Sequence, residues 1–287
     1  MRDTILFGDC RKTLCAFLPK SARMCVTSPP YYGLRDYGGE GNQIGQEQTP
    51  EEYIQQLVEV FREVRNILTD DGTLWVNIGD SYYNYRPGKA YVKQTVASNR
   101  QDLPEYSPKR SNKLDGYKEK DLIGIPWMLA FALRSDGWYL RQDIIWNKPN
   151  PMPESVRDRC TKSHEYIFLL SKSQNYYFDV DVIKEPTRRK RSVWNIQTKP
   201  YRGSHFAVYP PELIEPCIKA GSERGDIVLD PFMGSGTTAA VAKSLGRDYI
   251  GCELHEDYGN LIKKRVDEYH PVKEVTHSPI LDAINQV

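Results

Sequence analysis

Two short stretches combine residue types whose spacing suits chemistry. The first is Thr27-Ser28-Pro29-Pro30-Tyr31-Tyr32. Consecutive prolines remove two backbone donors and hold the chain extended, so the neighbouring carbonyls keep their capacity to accept. A stiff acceptor loop suits a flat aromatic amine such as the exocyclic amino group of cytosine or adenine, whose lone pair is delocalised into the ring. Hydrogen bonds from that amine to the Pro29 carbonyl and the Ser28 hydroxyl favour a pyramidal nitrogen with its lone pair aimed at a methyl donor. Tyr31 offers a face on which an extruded base stacks. The plain alternative is a Pro-Pro pair that does no more than end a strand.

The second stretch is Asp230-Pro231-Phe232-Met233-Gly234-Ser235-Gly236-Thr237-Thr238. It follows an apolar run and opens a helical pattern, which turns backbone N–H groups and the positive helix end toward a ligand, while the glycines allow close approach. No lysine follows the glycines, so a nucleoside triphosphate loop is disfavoured. A carboxylate, Glu253, ends the next apolar run, where this topology commonly meets ribose hydroxyls. The expected ligand is an adenosine-type nucleoside with little or no phosphate. NAD stays open on this segment, although the third glycine of its usual fingerprint is missing. A turn that holds glycine for geometry alone is the other alternative.

Both turns need a frame, and the rest of the chain describes one. Short apolar strands alternate with amphipathic helices, the pattern of a mostly parallel sheet covered on both faces. Strands are expected over residues 4–7, 24–27, 74–78, 139–146, 166–170, 227–229 and 249–253. Thr49-Pro50-Glu51-Glu52 reads as a capping box with proline at the first helical position. The helix it opens carries Tyr53, Leu57, Val60, Phe61, Val64 and Leu68 on one stripe and should stop at Asp71-Gly72. Further helices are expected over 122–133, 211–219, 237–245 and 258–266. The fold class is α/β, a Rossmann-like, doubly wound sheet, and the chain is read as a single catalytic domain over 1–287. Two stretches break the rhythm: 81–120, polar and tyrosine-rich, and about 147–204, which opens on the proline-dense Asn147-Lys148-Pro149-Asn150-Pro151-Met152-Pro153.

Composition narrows the function classes. Lys plus Arg number 39 against 38 Asp plus Glu, so a surface coated in positive charge is excluded and any nucleic-acid contact must be local. No run approaches a membrane span and no secretory leader is visible, so a cytoplasmic protein is expected. The cysteines at 10, 15, 25, 160, 217 and 252 lack metal-site spacing, and neither a metal nor a disulfide is expected.

The two turns together resemble the catalytic and cofactor motifs of the amino-methylating DNA methyltransferases. The catalytic turn precedes the cofactor turn, as in the permuted β class. The resemblance spans most of the chain: Phe7-Gly8-Asp9-Cys10 is similar to the family's N-terminal segment, and His205-Phe206-Ala207-Val208-Tyr209-Pro210 to the stretch over the cofactor's methionine end. It implies S-adenosyl-L-methionine as cofactor and a Rossmann-like methyltransferase fold. Asp9, with Cys10 beside it, would lie at the adenine, His205 and Phe206 at the methionine end, Asp230 at the methionine amino group and Glu253 at the ribose, with Phe232, Gly234, Ser235, Gly236, Thr237 and Thr238 forming the cradle. Ser28, Pro29, Pro30 and Tyr31 would be catalytic. Serine in the first position is more typical of cytosine-N4 enzymes, and Asp or Asn of adenine-N6 enzymes. Carbon-5 methylation is disfavoured, since no cysteine lies in a Pro-Cys loop.

The implied partner is double-stranded DNA with its target base flipped out. In the β class the recognition region falls between the strand near Trp146 and the His205 segment. Arg157, Arg159, Lys162 and the run Arg188-Arg189-Lys190-Arg191 are the expected phosphate contacts. A homodimer and a cognate restriction endonuclease, without direct contact, are compatible with the reading. The rivals left open are adenine-N6 methylation, methylation of an RNA amine, and a nicotinamide-dependent oxidoreductase.

Overall fold

The computed structural model describes residues 1–33, 43–83, 113–198 and 209–269. Eight strands form one sheet: β1 (Thr4–Phe7), β2 (Ala22–Thr27), β3 (Leu68–Ile78), β4 (Tyr139–Asn147), β5 (His164–Ser171), β6 (Val193–Asn195), β7 (Ile227–Asp230) and β8 (Asp248–Glu253). Their order is β1-β8-β7-β2-β3-β5-β4-β6. All neighbours pair parallel except β5, which runs against both β3 and β4. The carboxyl ends of β2, β3, β4 and β7 therefore share one rim with the amino end of β5.

Alternation along the strands explains how both faces are covered. On β2, Met24 and Val26 join one apolar cluster and Cys25 the other; on β3, Trp75 faces the first while Leu74, Val76 and Ile78 face the second. A period of two sends successive side chains to opposite sides. The first face is covered by α4 (Pro211–Gly221), through Leu213, Ile214, Cys217 and Ile218, and by α5 (Thr237–Ser244), through Val241 and Ala242. The second is covered by α2 (Pro50–Ile67) and α3 (Ile125–Ser135), the former contributing Tyr53, Leu57, Val60, Phe61 and Val64. A single turn, α1 (Cys10–Thr13), follows β1, and α6 (Gly259–Glu268) packs on α5 through Ile262.

The capping box at the start of α2 is formed in full, Glu52 N donating to Thr49 Oγ1 and Thr49 N to Glu52 Oε2, both at 3.2 Å. The end of that helix departs from expectation. It stops at Ile67, and Leu68 is already extended, pairing with Ala22 of β2. Leu68 continues the helical stripe and is fully buried, so periodicity alone could not separate the two states. The register then slips between Ala22 and Met24. Gly72 sits in the slip, where a Cβ would lie 2.9 Å from that of Leu68 and 3.0 Å from the Arg23 carbonyl oxygen.

Two further corrections concern the polar stretches. The helix expected over 122–133 begins at Ile125, because Gly124 turns left-handed (φ 88°) and Leu122 instead bridges to Tyr82. Asp80 Oδ1 accepts from Gly124 N and Ile125 N, both at 3.0 Å, and so caps α3 from the end of β3. The part of the 147–204 stretch that follows β5, with no regular element expected, contains β6, three residues pinned by the burial of Trp194 and by pairing to β4. Of the tyrosine-rich stretch, 84–112 lie outside the described residues; its base is closed by Tyr83 N donating to the Asp121 carbonyl and Lys120 N to that of Tyr83.

Candidate functional site

The Ser-Pro-Pro-Tyr turn leaves the carboxyl end of β2, and the glycine turn leaves the carboxyl end of β7, the strand beside it. They are tied directly. Thr27 Oγ1 donates to Asp230 Oδ1 at 2.6 Å across 203 residues of sequence.

The acceptor turn is held at three points. Thr27 is fixed by Asp230. The Pro30 carbonyl accepts from the Tyr53 hydroxyl of α2 at 2.8 Å. Tyr31 donates its phenol to Glu165 Oε2 at 2.7 Å, and a Cβ on Gly79 would come within 2.8 Å of the Tyr31 ring. Burial, reinforced by the Glu165 carboxylate, pushes the Tyr31 phenol well above its usual range. Between these points, no described residue donates to the Pro29 carbonyl. The acceptor capacity that the prolines imply is therefore split: one carbonyl is spent on Tyr53 and one stays open among the described residues.

On the other side, Asp230 is 1% exposed and both of its oxygens are occupied. Oδ1 takes Thr27 and, at 3.0 Å, Phe232 N; Oδ2 takes Thr238 Oγ1 at 2.5 Å and the Tyr209 hydroxyl at 3.3 Å. Burial pushes its carboxyl up to about 6. Glu253 accepts from Gly234 N at 2.7 Å and His255 N at 3.0 Å, and burial pushes it up to about 7. Gly236 N donates to the Met233 carbonyl at 3.0 Å and Met233 N to the Cys252 carbonyl at 2.8 Å, so with Phe232 and Gly234 four N–H groups of the turn are engaged within the protein. Gly236 begins α5 in the left-handed region (φ 84°), and a Cβ there would lie 2.8 Å from Ile262 Cγ2, so its missing side chain lets α6 pack against the turn. The buried Ser235 accepts from Arg265 at 2.5 Å, and Thr237 and Thr238 start the helix, both buried. Asp9, at the end of the β1 turn, caps α1 through Arg11 N and pairs with the Arg11 guanidinium; burial raises its pKa, and the Arg11 contacts outweigh that to leave it below the usual carboxylate range. Cys10, beside it, is buried.

A family model described as DNA methylase matches residues 22–264. The chain belongs to this DNA methylase family. Among its relatives, the Type II methyltransferase M.SmaI of Serratia marcescens is 52% identical over 269 residues, 91% of this chain and 90% of that protein. M.Cfr9I of Citrobacter freundii, also a Type II methyltransferase, is 50% identical over 273 residues, 92% and 87% of the two chains. A solved structure with the same fold, the cytosine-N4-specific PvuII DNA methyltransferase, superposes with a TM-score of 0.68 at 20% identity, over 100% of this chain and 92% of that one. A putative DNA modification methylase of Thermus thermophilus, solved with S-adenosyl-L-methionine, gives 0.65 at 26% identity over 93% and 94%.

In the methylase, the basic residues singled out from sequence fall into two groups. Arg157, Arg159 and Lys162 lie on the excursion between β4 and β5, at the rim that carries Ser28. Arg159 stacks its guanidinium 3.9 Å from the Tyr82 ring centroid and pairs with Glu154 at 2.7 Å, while Lys120 pairs with Asp158 at 2.6 Å. These contacts join the ends of the tyrosine-rich stretch to the excursion. Arg188, Arg189, Lys190 and Arg191 come before β6, on the outer edge of the sheet and toward the other rim. Arg188, Lys190 and Arg191 line a groove there with Gln142 and Trp194. His205 and Phe206 lie outside the described residues.

Sequence reasoning did not find Glu165, Lys148, Asn77 or Tyr53, which the fold brings to the two turns, and it named Tyr209 only as part of the His205–Pro210 segment. Asn77, Lys148 and Glu165 come from three different strand ends, and no local pattern marks them. Tyr53 was legible only as a core residue of α2.

Proposed function

We propose that this methylase transfers the methyl group of S-adenosyl-L-methionine to the exocyclic N4 of a cytosine flipped out of double-stranded DNA. The observation that carries the proposal is the acceptor turn, clamped at Thr27, Pro30 and Tyr31 yet, among the described residues, open at Pro29, one strand away from the glycine turn. A loop fixed in that way meets the amine with its acceptors already oriented, which removes the cost of ordering them in the transition state.

The pocket fits the cofactor through its own chemistry. Glu253, 7% exposed and raised toward neutrality by burial, is a carboxylate that gains from the ribose diol as donor. Gly234 and Gly236 would shape the turn of the cradle, and Ser235, Thr237, Thr238, Phe232 and Asp230 would form its floor. Asp9 and Cys10 would border the adenine, with His205 and Phe206 at the methionine end. When bound, S-adenosyl-L-methionine supplies an electrophilic methyl group on a sulfonium sulfur. Ser28 and the Pro29 carbonyl accept the two N–H bonds of the amine, which directs its lone pair outward. Pro30 keeps the turn extended.

Serine in the first position, by the family resemblance, favours cytosine N4 over adenine N6, and the extensive identity to Type II methyltransferases supports a DNA substrate. Arg157, Arg159 and Lys162 contact phosphates beside the flipped base, and the 188–191 cluster contacts the same backbone further along. Incubation with plasmid DNA and the cofactor, followed by nucleoside mass spectrometry, tests the reading directly. N4-methylcytosine is expected; N6-methyladenine, or labelling of RNA alone in a competition assay, would overturn it.

A further inference from the structure

Glu165 stands at the amino end of β5, the one strand among the described residues that runs against its neighbours. It reaches the acceptor turn because that reversal puts the start of β5 on the rim where the other strands end. Its carboxylate is 16% exposed and forms an ion pair with Lys148, 18% exposed, at the first position beyond β4. The Lys148 ammonium also lies 4.3 Å from the Trp146 ring centroid, and Lys148 N donates to the Ser163 carbonyl at 2.7 Å, so the pair is held from both ends of the excursion. Asn77 on β3 donates to Glu165 Oε2 at 3.3 Å and to the Tyr166 carbonyl at 3.2 Å, which fixes the rotation of the carboxylate. Lys162 and His164 complete the charged surroundings, both with pKa lowered by burial.

The polarity of the hydrogen bonds matters more than their number. A phenol has one proton to give. Tyr31 gives its own to Glu165 at 2.7 Å, so its oxygen is left to accept. Ser28, the residue three before it, is the neighbouring hydroxyl that lowers the Tyr31 pKa against the effect of burial, and so the group placed to fill that acceptor. A Ser28 proton given to that oxygen would leave the lone pairs of Ser28 Oγ for a substrate amine.

We propose that Glu165, charge-balanced by Lys148, is a positioning residue that sets the direction of the hydrogen bonds running from Ser28 through Tyr31, and so makes Ser28 an acceptor for the target amine. Without that carboxylate, the Tyr31 proton can turn back toward Ser28. The serine then presents a donor to a group that also needs to donate, and two N–H or O–H donors facing one another lose the interaction.

The inference rests on the methyl-transfer reading above, and its test separates the two. Single-turnover rates are measured on duplex DNA for the wild type, Tyr31→Phe, Glu165→Ala, the double variant, and Glu165→Gln combined with Lys148→Met. Each single variant should slow transfer about tenfold to a hundredfold, the worth of one hydrogen bond to an ionised group. The Kd for S-adenosylhomocysteine should stay within about twofold, since the cofactor contacts are untouched. The double variant should be no slower than the worse single, because both break the same chain. The Gln/Met pair should keep most of the rate, as a carboxamide oxygen still accepts the phenol and no lone ammonium remains. Losses that multiply in the double variant, or a fully active Tyr31→Phe, would overturn the positioning role while leaving the methyltransferase reading intact. Fluorotyrosine at position 31 gives a readout independent of turnover. Its phenol should titrate lower in Glu165→Ala than in the wild type, and an unchanged titration would equally overturn the inference; absence of N4-methylcytosine from the wild type would instead overturn the reading of function.

Discussion

At the scale of single residues, the two carboxylates of the cofactor pocket make a pH-dependent prediction. Asp230 and Glu253 are pushed up by burial to about 6 and about 7 from ordinary values of 3.8 and 4.5. Groups raised in this way bind protons more tightly folded than unfolded, so the stability they contribute is present at low pH. It is lost as pH climbs from about 4 through 6 and 7. A ligand that donates hydrogen bonds to Glu253, or brings a cation near Asp230, favours the ionised forms and so expels protons on binding. The affinity for S-adenosyl-L-methionine should therefore rise between about pH 6 and 8. Calorimetry in buffers of different ionisation enthalpy should report proton release near about pH 6.5; heats independent of the buffer would contradict it.

At the scale of elements, the tightest constraint lies where β8 passes the glycine turn. A Cβ on Gly251 would overlap the Asp230 carbonyl oxygen and lie 2.5 Å from Met233 Cε. Gly251→Ala should cost about 1–3 kcal/mol of stability, as overpacking of a close-packed core does. It should also weaken cofactor binding, because the Asp230 carbonyl leads straight into the cradle. Thermal melts with and without cofactor separate the two effects: a lowered Tm combined with full ligand-induced stabilisation would show that the strain stays outside the pocket. The same scale shows what was legible beforehand. The capping box of Thr49 and Glu52, the strand at 4–7 and the strand-turn-helix around Gly234 rest on local chemistry, and each forms as the residues imply. The end of α2 was not legible, since Leu68 satisfies the helical stripe and the strand's burial equally well. Nor was β6, whose three residues depend on a partner strand far away in sequence. Of the site, the two turns could be read because proline and glycine act on their own backbone, whereas Glu165 and Lys148 matter only once β5 is known to run backwards.

At the scale of the whole molecule, the near-neutral charge makes the placement of basic residues decisive. Reversing Arg157 and Lys162 to Glu together should weaken binding to every duplex sequence and flatten the dependence of log K on log salt by about 2, roughly one unit for each phosphate no longer neutralised. Reversal at Arg189 and Arg191, on the outer edge, tests how far along the backbone the interface extends. Fluorescence titrations at several salt concentrations give both slopes. An unaltered slope for the first pair would remove the excursion from the interface.

The pairing of β4 with β5 runs without a gap from Ile144 opposite Ile167 to Asn147 opposite His164. Everything between 148 and 163 hangs from a stem whose register is locked by those paired residues, and Lys148 and Lys162, at its two roots, are the basic residues beside Glu165. Such a stem tolerates exchange of what it carries. If the excursion carries the DNA contacts proposed above, replacing 150–161 with the corresponding span of a relative should change which duplexes are methylated while the rate on a good substrate persists; an unchanged site preference would remove the excursion from recognition.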